Sequence, residues 1–378
     1  MDIAVKKELF RKVVSCTTRA TSSKAIQPIL NNLLLTCSNG SLYVSATDLD
    51  LAIECKLPVD VSKPGKITLP AKKLDEIVNK VTGEEVSIST DKNNHANILS
   101  DRSKYKVNCA SPDDFPEVIS TKDSKDVYKI KQNELLQAIL LTSFATSKFE
   151  TTSILSGANF EIKGNKFEIG ATDGSRLARY AGSLESTSSD AKEKQSIVIP
   201  GRALVELEKL ITSFKEENEV ISFYILPGQI VFKGNNFSLS TRLVSGTFPS
   251  YDKLIPKSQS STAVFSRSEL LNALERVAVL ANERTNVIKL SFTKGGKIVH
   301  LSANSPDYGN ATDEVDVNYK GNDMEIAFNY RYLSEALRNL QVENILLELE
   351  TSLSPILLKI SDEVDYNYTY LIMPVQLR

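Results

Sequence analysis

Tryptophan is missing from this chain of 378 residues, and histidine occurs only twice. His95 and His300 are not spaced as a metal pair. Cysteine is sparse as well. Cys16, Cys37, Cys55 and Cys109 all fall in the first third and none belongs to a CxxC pair, which points to reduced core thiols and away from a zinc site. No run of eighteen apolar residues exists, so no membrane span or membrane partner is expected. The start, Met1-Asp2-Ile3-Ala4-Val5-Lys6-Lys7, lacks the apolar stretch of a signal peptide, and a cytoplasmic location is expected. Neither a G-x-x-x-x-G-K-[ST] nor a G-x-G-x-x-G loop occurs, and Lys294-Gly295-Gly296-Lys297 reads as a hairpin turn. Without a nucleophile–base pair, a metal set or a cofactor cradle, the residues do not indicate an enzyme; no cofactor and no metal are expected.

The composition is that of a soluble globular protein, 41% hydrophobic and 24% charged. The length allows two or three domains. A net charge of −2 argues against a protein that coats nucleic acid with its whole surface, yet leaves room for a local basic face.

The chain repeats itself. Ala46-Thr47-Asp48 ends one alternating strand, and Ala171-Thr172-Asp173 ends another about 125 residues later. A strand at Lys297–Ala303 follows at a similar interval. After each come a short apolar entry (Leu69-Pro70, Ile199-Pro200, Phe328-Asn329) and an amphipathic helix (Ala71–Val81, Gly201–Phe214, Tyr330–Leu340). Further strands then lead to Phe115-Pro116, Phe248-Pro249 or Met373-Pro374. Earlier helices are expected at Lys6–Ala20, Asn133–Thr146 and Ser268–Asn282, the last with Ser266 or Ser268 as N-cap. Asn39-Gly40, Pro227-Gly228 and Gly295-Gly296 are hairpin turns. A period this long marks a repeated α+β domain of antiparallel sheets with two helices. The expected domains are 1–121, 127–255 and 258–378, joined by polar linkers near Thr121–Asp126 and Pro256–Ser261. The Ser-rich run Ser183–Lys194 reads as a loop inside the second repeat. Asp48 and Asp173 read as turn aspartates that bind backbone N–H groups, not as a catalytic pair.

Charge is unevenly placed. From Lys6 to Lys24 six basic residues face one acid. The second helices carry Lys72, Lys73 and Lys80, Arg202 and Lys209, and Arg331 and Arg338. Arg102, Lys104 and Lys106 share one side of a strand, while Asp307–Asp316 holds Asp307, Asp313, Glu314 and Asp316 and no base. A basic edge and an acidic strand at opposite ends suit head-to-tail association. The residues alone also admit a monomeric three-domain adaptor, or an inter-domain enzyme using Asp173 and Arg176.

In order, Pro28-Ile29-Leu30-Asn31-Asn32, Ala46-Thr47-Asp48-Leu49, Asp114-Phe115-Pro116, Ala171-Thr172-Asp173-Gly174-Ser175-Arg176-Leu177-Ala178, Val244–Tyr251, Ala281-Asn282-Glu283-Arg284 and Leu371-Ile372-Met373-Pro374-Val375 resemble the bacterial sliding clamp family. This is the beta (processivity) subunit of DNA polymerase III, and the resemblance covers essentially the whole length. It implies a head-to-tail homodimer, a six-domain ring around duplex DNA held without sequence preference. It implies tethering of the polymerase III catalytic subunit, the clamp loader, other DNA polymerases and repair proteins through short linear motifs. Lys24 matches a DNA-contacting position of the family, to which Lys12, Arg19, Lys80 and Lys148 are added. The resemblance carries a peptide pocket onto Leu155, Thr172, Gly174, Ser175, Arg176, Leu177, Pro249, Lys253 and Leu254, with Asn329, Tyr332, Leu353 and Pro355, and with Leu371, Ile372, Met373, Pro374 and Val375. The dimer contact falls on Arg102, Lys104, Lys106, Val279, Leu280, Asp313 and Glu314. Ser175 stands where the family often has histidine, and Lys253-Leu254 where Arg-Val is common.

Overall fold

A computed structural model describes residues 1–22, 27–91, 95–117, 127–148, 153–187, 194–256 and 259–376. The expected linker at 121–126, residues 188–193 of the 183–194 loop and Lys24 lie outside the described residues. Six α-helices are described: α1 Lys7–Thr18, α2 Ala71–Lys80, α3 Gln132–Thr142, α4 Gly201–Ser213, α5 Arg267–Ala278 and α6 Tyr330–Asn339.

Each helix ends earlier than its apolar spacing suggests, for local reasons. Beyond α1 the chain tightens into Ala20 N–H to Thr17 O and Thr21 N–H to Thr18 O bonds. The Thr142 hydroxyl bonds back to Ala138 O, and a 3-10 turn over Ser143–Ala145 takes over from α3. Ser266, not Ser268, caps α5: its Oγ accepts from Glu269 N–H.

By compactness the chain divides into two units. Unit 1 is Met1–Leu136, Leu184–Ala191 and Arg202–Leu243; unit 2 is Gln137–Ser183, Lys192–Gly201 and Val244–Arg378. The second repeat is therefore shared between them.

Unit 1 holds a five-stranded antiparallel sheet in the order Asp60–Lys63, Asp2–Lys6, Glu85–Thr90, His95–Ser100, Ser103–Asn108. Its other sheet has nine strands: Ser186–Thr187, Tyr128–Lys131, Val220–Leu226, Gln229–Lys233 and Phe237–Arg242 from repeat two, then Leu51–Pro58, Ser41–Thr47, Asn32–Ser38 and Gly65–Pro70 from repeat one. The join between repeats is the pairing of Phe237–Arg242 with Leu51–Pro58, with Leu239 opposite Ile53. Type I′ geometry at Asn39 (φ 48°) and Gly40 (φ 69°) closes one hairpin, as the Asn-Gly pair dictates. Phe10, Val13 and Val14 bury one face of α1, and Val86, Ile88, Phe223 and Leu239 alternate inward from the strands. Cys16 and Cys55 are buried thiols, and burial raises the Cys55 pKa.

Unit 2 has a mirrored makeup. Its nine-stranded sheet runs Gln195–Pro200, Gly157–Lys163, Lys166–Thr172 and Arg176–Ser183 from repeat two, then Asn367–Ile372, Ile356–Ile360, Asn344–Leu349, Ser261–Ser266 and Asn318–Lys320 from repeat three. The join pairs Arg176–Ser183 with Asn367–Ile372. A four-stranded sheet runs Gly309–Asp316, Ile298–Ser305, Val287–Phe292, Met324–Asn329. Each repeat thus splits into a five-strand half and a four-strand half, and each join links a half of one kind to a half of the other.

Candidate functional site

The repeated Thr-Asp builds the same turn twice. In unit 1 the Asp48 carboxylate accepts from Asp50 and Leu51 N–H, and Thr47 Oγ1 donates to Leu51 O and accepts from Leu49 N–H. In unit 2 Asp173 accepts from Ser175 and Arg176 N–H, while Thr172 Oγ1 donates to Arg176 O and accepts from Gly174 N–H. Both aspartates act on the backbone, as expected of Asx turns.

The unit 2 turn delivers Arg176 to a closed cage. Only 5% of this residue is exposed. Its Nε donates to Asp173 at 3.0 Å, one terminal nitrogen to Glu335 of α6 and the other to Phe144 O at 2.8 Å. The guanidinium also lies over the Tyr332 ring, 4.5 Å from its centroid. Burial alone would lower the Arg176 pKa; Tyr370 and Glu335 more than offset it, and the group stays charged. Each of its three nitrogens donates to a protein acceptor, so the group is tied into unit 2 and positions the surface around it.

Beside it lies an apolar cluster. Leu177, Val198, Leu357 and Leu371 supply the sheet, Phe248 and Tyr251 a wall, and Ile154, Leu155, Val244 and Ile255 pack against them. The Tyr251 hydroxyl donates to Glu168 at 2.7 Å, and Arg179 clamps the same carboxylate at 2.6 Å. This pins the segment after Val244 to the sheet. Leu254 (56% exposed), Leu353 (59%), Met373 (43%) and Val375 (38%) leave large apolar surface uncovered in the same unit. Backbone bonds fix the tail: Met373 N–H to Ser175 O at 2.9 Å and Val375 N–H to Ala327 O at 2.7 Å.

The expected pocket residues therefore fall into three groups. Thr172, Arg176, Leu177, Leu371 and Ile372 are buried. Leu155, Asn329, Tyr332, Pro355 and Pro374 are half-buried, Asn329 acting as the N-cap of α6. Gly174, Ser175, Pro249, Lys253, Leu254, Leu353, Met373 and Val375 are exposed. The list taken from the sequence omitted Tyr251, Phe248, Val198 and Leu357. Phe248 and Tyr251 stood inside the Val244–Tyr251 segment that carries the resemblance; nothing local distinguishes Val198 or Leu357 from ordinary core.

Basic residues are less free than their count suggests. Lys12 Nζ sits 4.3 Å from the Phe214 ring centroid. Arg19 lies 4.0 Å from Glu206, and Arg202 pairs with Asp48. Lys73, Lys209 and Arg338 pair with Glu76, Glu206 and Glu275. Lys80 and Lys148 are exposed.

Two of the terminal strands of the sheets carry clustered charge of opposite sign. Ser103–Asn108 borders the five-stranded sheet, with Arg102, Lys104 and Lys106 exposed. Gly309–Asp316 borders the four-stranded sheet, with Glu314 and Asp316 exposed. Asp313 turns inward to Arg276 of α5 at 2.6 Å, and that hydrogen bond holds its carboxyl below the usual range. The acidic edge therefore presents Glu314, which lies 3.2 Å from His300, rather than Asp313. A cavity of about 440 Å³ lined by Glu269, Arg276, Ile298 and Glu314 adjoins it. Val279 is 78% exposed and Leu280 half-buried. Among the described residues no three His, Cys, Asp or Glu side chains gather as a metal site.

The cage makes a stability prediction. Arg176→Met leaves Asp173 and Glu335 facing an apolar side chain and costs about 3 kcal/mol of stability. Arg176→Lys restores charge without the planar fork and recovers less than half of that loss. Denaturant midpoints of the three proteins measure both.

Comparison with known proteins gives one answer along the whole chain. Residues 1–119, 129–250 and 252–376 match the models of the N-terminal, central and C-terminal domains of the DNA polymerase III beta subunit. A beta sliding clamp of Synechococcus elongatus is 33% identical over the full length of both chains. One from Staphylococcus aureus is 29% identical, covering 100% of this chain and 99% of the relative. The crystal structure of a DNA polymerase sliding clamp from Bacillus subtilis aligns over 100% of both chains with TM-score 0.91 at 27% identity. That of a Pseudomonas aeruginosa sliding clamp bound to griselimycin does so with TM-score 0.91 at 26%.

Proposed function

The chain belongs to the DNA polymerase III beta subunit family, the bacterial beta sliding clamps, and we propose that two copies close head to tail into a ring around duplex DNA. The protein is a processivity factor without catalysis of its own, and its partners are DNA and polymerase.

The observation that carries the ring is the pair of joins inside the chain. Each links a five-strand half to a four-strand half. The chain leaves one half of each kind unjoined: the five-strand half of repeat one and the four-strand half of repeat three. Their meeting in two copies builds a third nine-stranded sheet of the same makeup.

The register follows from the ladders. Glu54, Arg179 and Thr312 occupy one position in the three four-strand halves, opposite Ser45, Gly170 and Ser302. Lys104, Ser238 and Thr369 occupy one position in the five-strand halves, opposite Leu99, Lys233 and Lys359. In the two joins Glu54 faces Ser238 and Arg179 faces Thr369. Lys104 then faces Thr312 of the second copy, and antiparallel counting sets Arg102 against Glu314. Lys104 lies diagonal to the same Glu314 and Lys106 faces Asn310. Each charge pair adds about 0.2–1 kcal/mol and opposes wrong registers. Val279 and Leu280 supply apolar area.

Enclosure relieves the DNA contacts of any need for strength. Lys24, Lys12, Arg19, Lys80 and Lys148 touch phosphates without reading bases, through salt-screened contacts that permit sliding. The internal partners of Lys12 and Arg19 weaken their pull further. The cluster around Leu177, with Leu254, Leu353, Met373 and Val375 uncovered, accepts a short apolar peptide from the polymerase III catalytic subunit, the clamp loader, other polymerases or repair proteins. The relative solved with griselimycin bound supports a ligand-accepting surface in the family. Affinity on the order of micromolar, about −8 kcal/mol, lets partners exchange. No helix among the described residues is long and apolar enough to cross a membrane, in keeping with work on DNA in the cytoplasm.

Sedimentation at micromolar concentration gives twice the 41.8 kDa chain mass for the native protein. Arg102→Glu or Glu314→Arg alone weakens the dimer about tenfold or more, and the double exchange restores it. A strict monomer, or single variants without effect, contradicts the ring or its register. Deleting Met373–Arg378 abolishes capture by polymerase peptides at unchanged dimer mass; persistent capture relocates the peptide site.

A further inference from the structure

The place taken in unit 2 by the Leu177 cluster has a counterpart in unit 1 that the foregoing function does not use. By the same ladder positions, Ala52 stands where unit 2 has Leu177, Ser240 where it has Leu371, and Arg242 where it has Met373. The smaller side chains leave a cavity of about 130 Å³, walled by Phe115 and Pro116 and open to solvent. That is room for one large apolar side chain.

Leu49 stands at the mouth of this cavity. Its φ is +79°, a region an L-residue with a Cβ enters only at a cost; the equivalent residue in unit 2 is Gly174 at +89°. The turn bonds of Thr47 and Asp48 hold Leu49 there with 46% of it exposed. Unit 1 thus holds an apolar side chain, in a strained backbone position, beside a cavity with an apolar wall of Phe115, Pro116 and Ala52 and a polar one that includes Ser240 and Thr241.

The rim is charged, unlike that of unit 2. Asp50 and Glu117 line it and are exposed, with Asp113 and Asp114 just before Phe115. Against them stands Arg242, 3.8 Å from Asp50. At the corresponding mouth in unit 2 the positions of Asp50 and Arg242 hold Ser175 and Met373. The unit 1 rim is net acidic.

We propose that this cavity is a second docking site, which takes a linear peptide of a partner protein bearing one large apolar side chain flanked by Lys or Arg. The apolar side chain fills the cavity between Phe115, Pro116 and Leu49, and the flanking cation meets Asp50 and Glu117. The site draws on unit 1 alone, so it stands whether or not the ring closes.

Fluorescein-labelled hexapeptides with a single Leu, Met or Phe between lysines, and a matched set between glutamates, test this on the full-length protein by fluorescence polarisation. The lysine set binds saturably and at least about tenfold more tightly than the glutamate set. Leu49→Gly, which relaxes the backbone and keeps the melting temperature at or above the native value, weakens that binding about tenfold. Asp50→Lys with Glu117→Lys reverses the preference between the sets. No saturable binding of the lysine set, equal binding of both sets, or undiminished binding to Leu49→Gly overturns the proposal.

Discussion

A strand at the edge of a sheet carries a row of backbone N–H and C=O groups that must find partners, and in this protein that demand organises everything else. Twice within the chain an edge of a five-strand half meets an edge of a four-strand half, and the ladder of one repeat runs into the next. The third pair of edges has no partner in its own sheets. One of them is lined with Arg102, Lys104 and Lys106, the other with Glu314 and Asp316. Such charges guard an exposed edge against indiscriminate pairing and at the same time specify the one edge that fits. A second copy is the partner that satisfies both demands.

The same joins shape the two candidate docking places. Beside each join the Thr-Asp turn folds back and the Phe-Pro segment crosses, so a concave place recurs with the repeat. Side chains then differentiate it. Leu177, Leu371 and Met373 make the unit 2 place apolar, and the neighbouring Arg176 ties its turn to Glu335 and Phe144 O. Ala52, Ser240, Asp50 and Arg242 make the unit 1 place small and charged. The repeated fold gives the shared geometry, and the side chains at matching positions set the chemistry.

Much of this was legible in the sequence because it depends on local rules. The three repeats, the Asn39-Gly40 hairpin, a serine cap on α5 at Ser266 or Ser268 and the turn roles of Asp48 and Asp173 rest on short motifs; the structure bears them out and selects Ser266. The alternation of charge on the open edges was equally plain. What the chain did not disclose are contacts between distant residues. Nothing near Leu239 announces that it pairs with Ile53, so the sharing of repeat two between two compact units was invisible. Arg176 was placed in the pocket by resemblance alone, and its burial could not be read because its partners Glu335 and Phe144 O lie far off in sequence. Asp313 read as part of the acidic face until Arg276 claimed it. The neighbours of Lys12 and Arg19, Phe214 and Glu206, were hidden for the same reason.

The central claim is that the protein holds DNA by enclosing it. Retention on a nicked circle after loading by the clamp loader, compared with the same DNA linearised, tests this most directly. Gel filtration in high salt should leave the protein on the circle and release it from the linear molecule, because ends alone let a closed ring slide off. Equal retention on both forms, or equal loss from both as salt rises, contradicts enclosure and assigns the grip to surface charge.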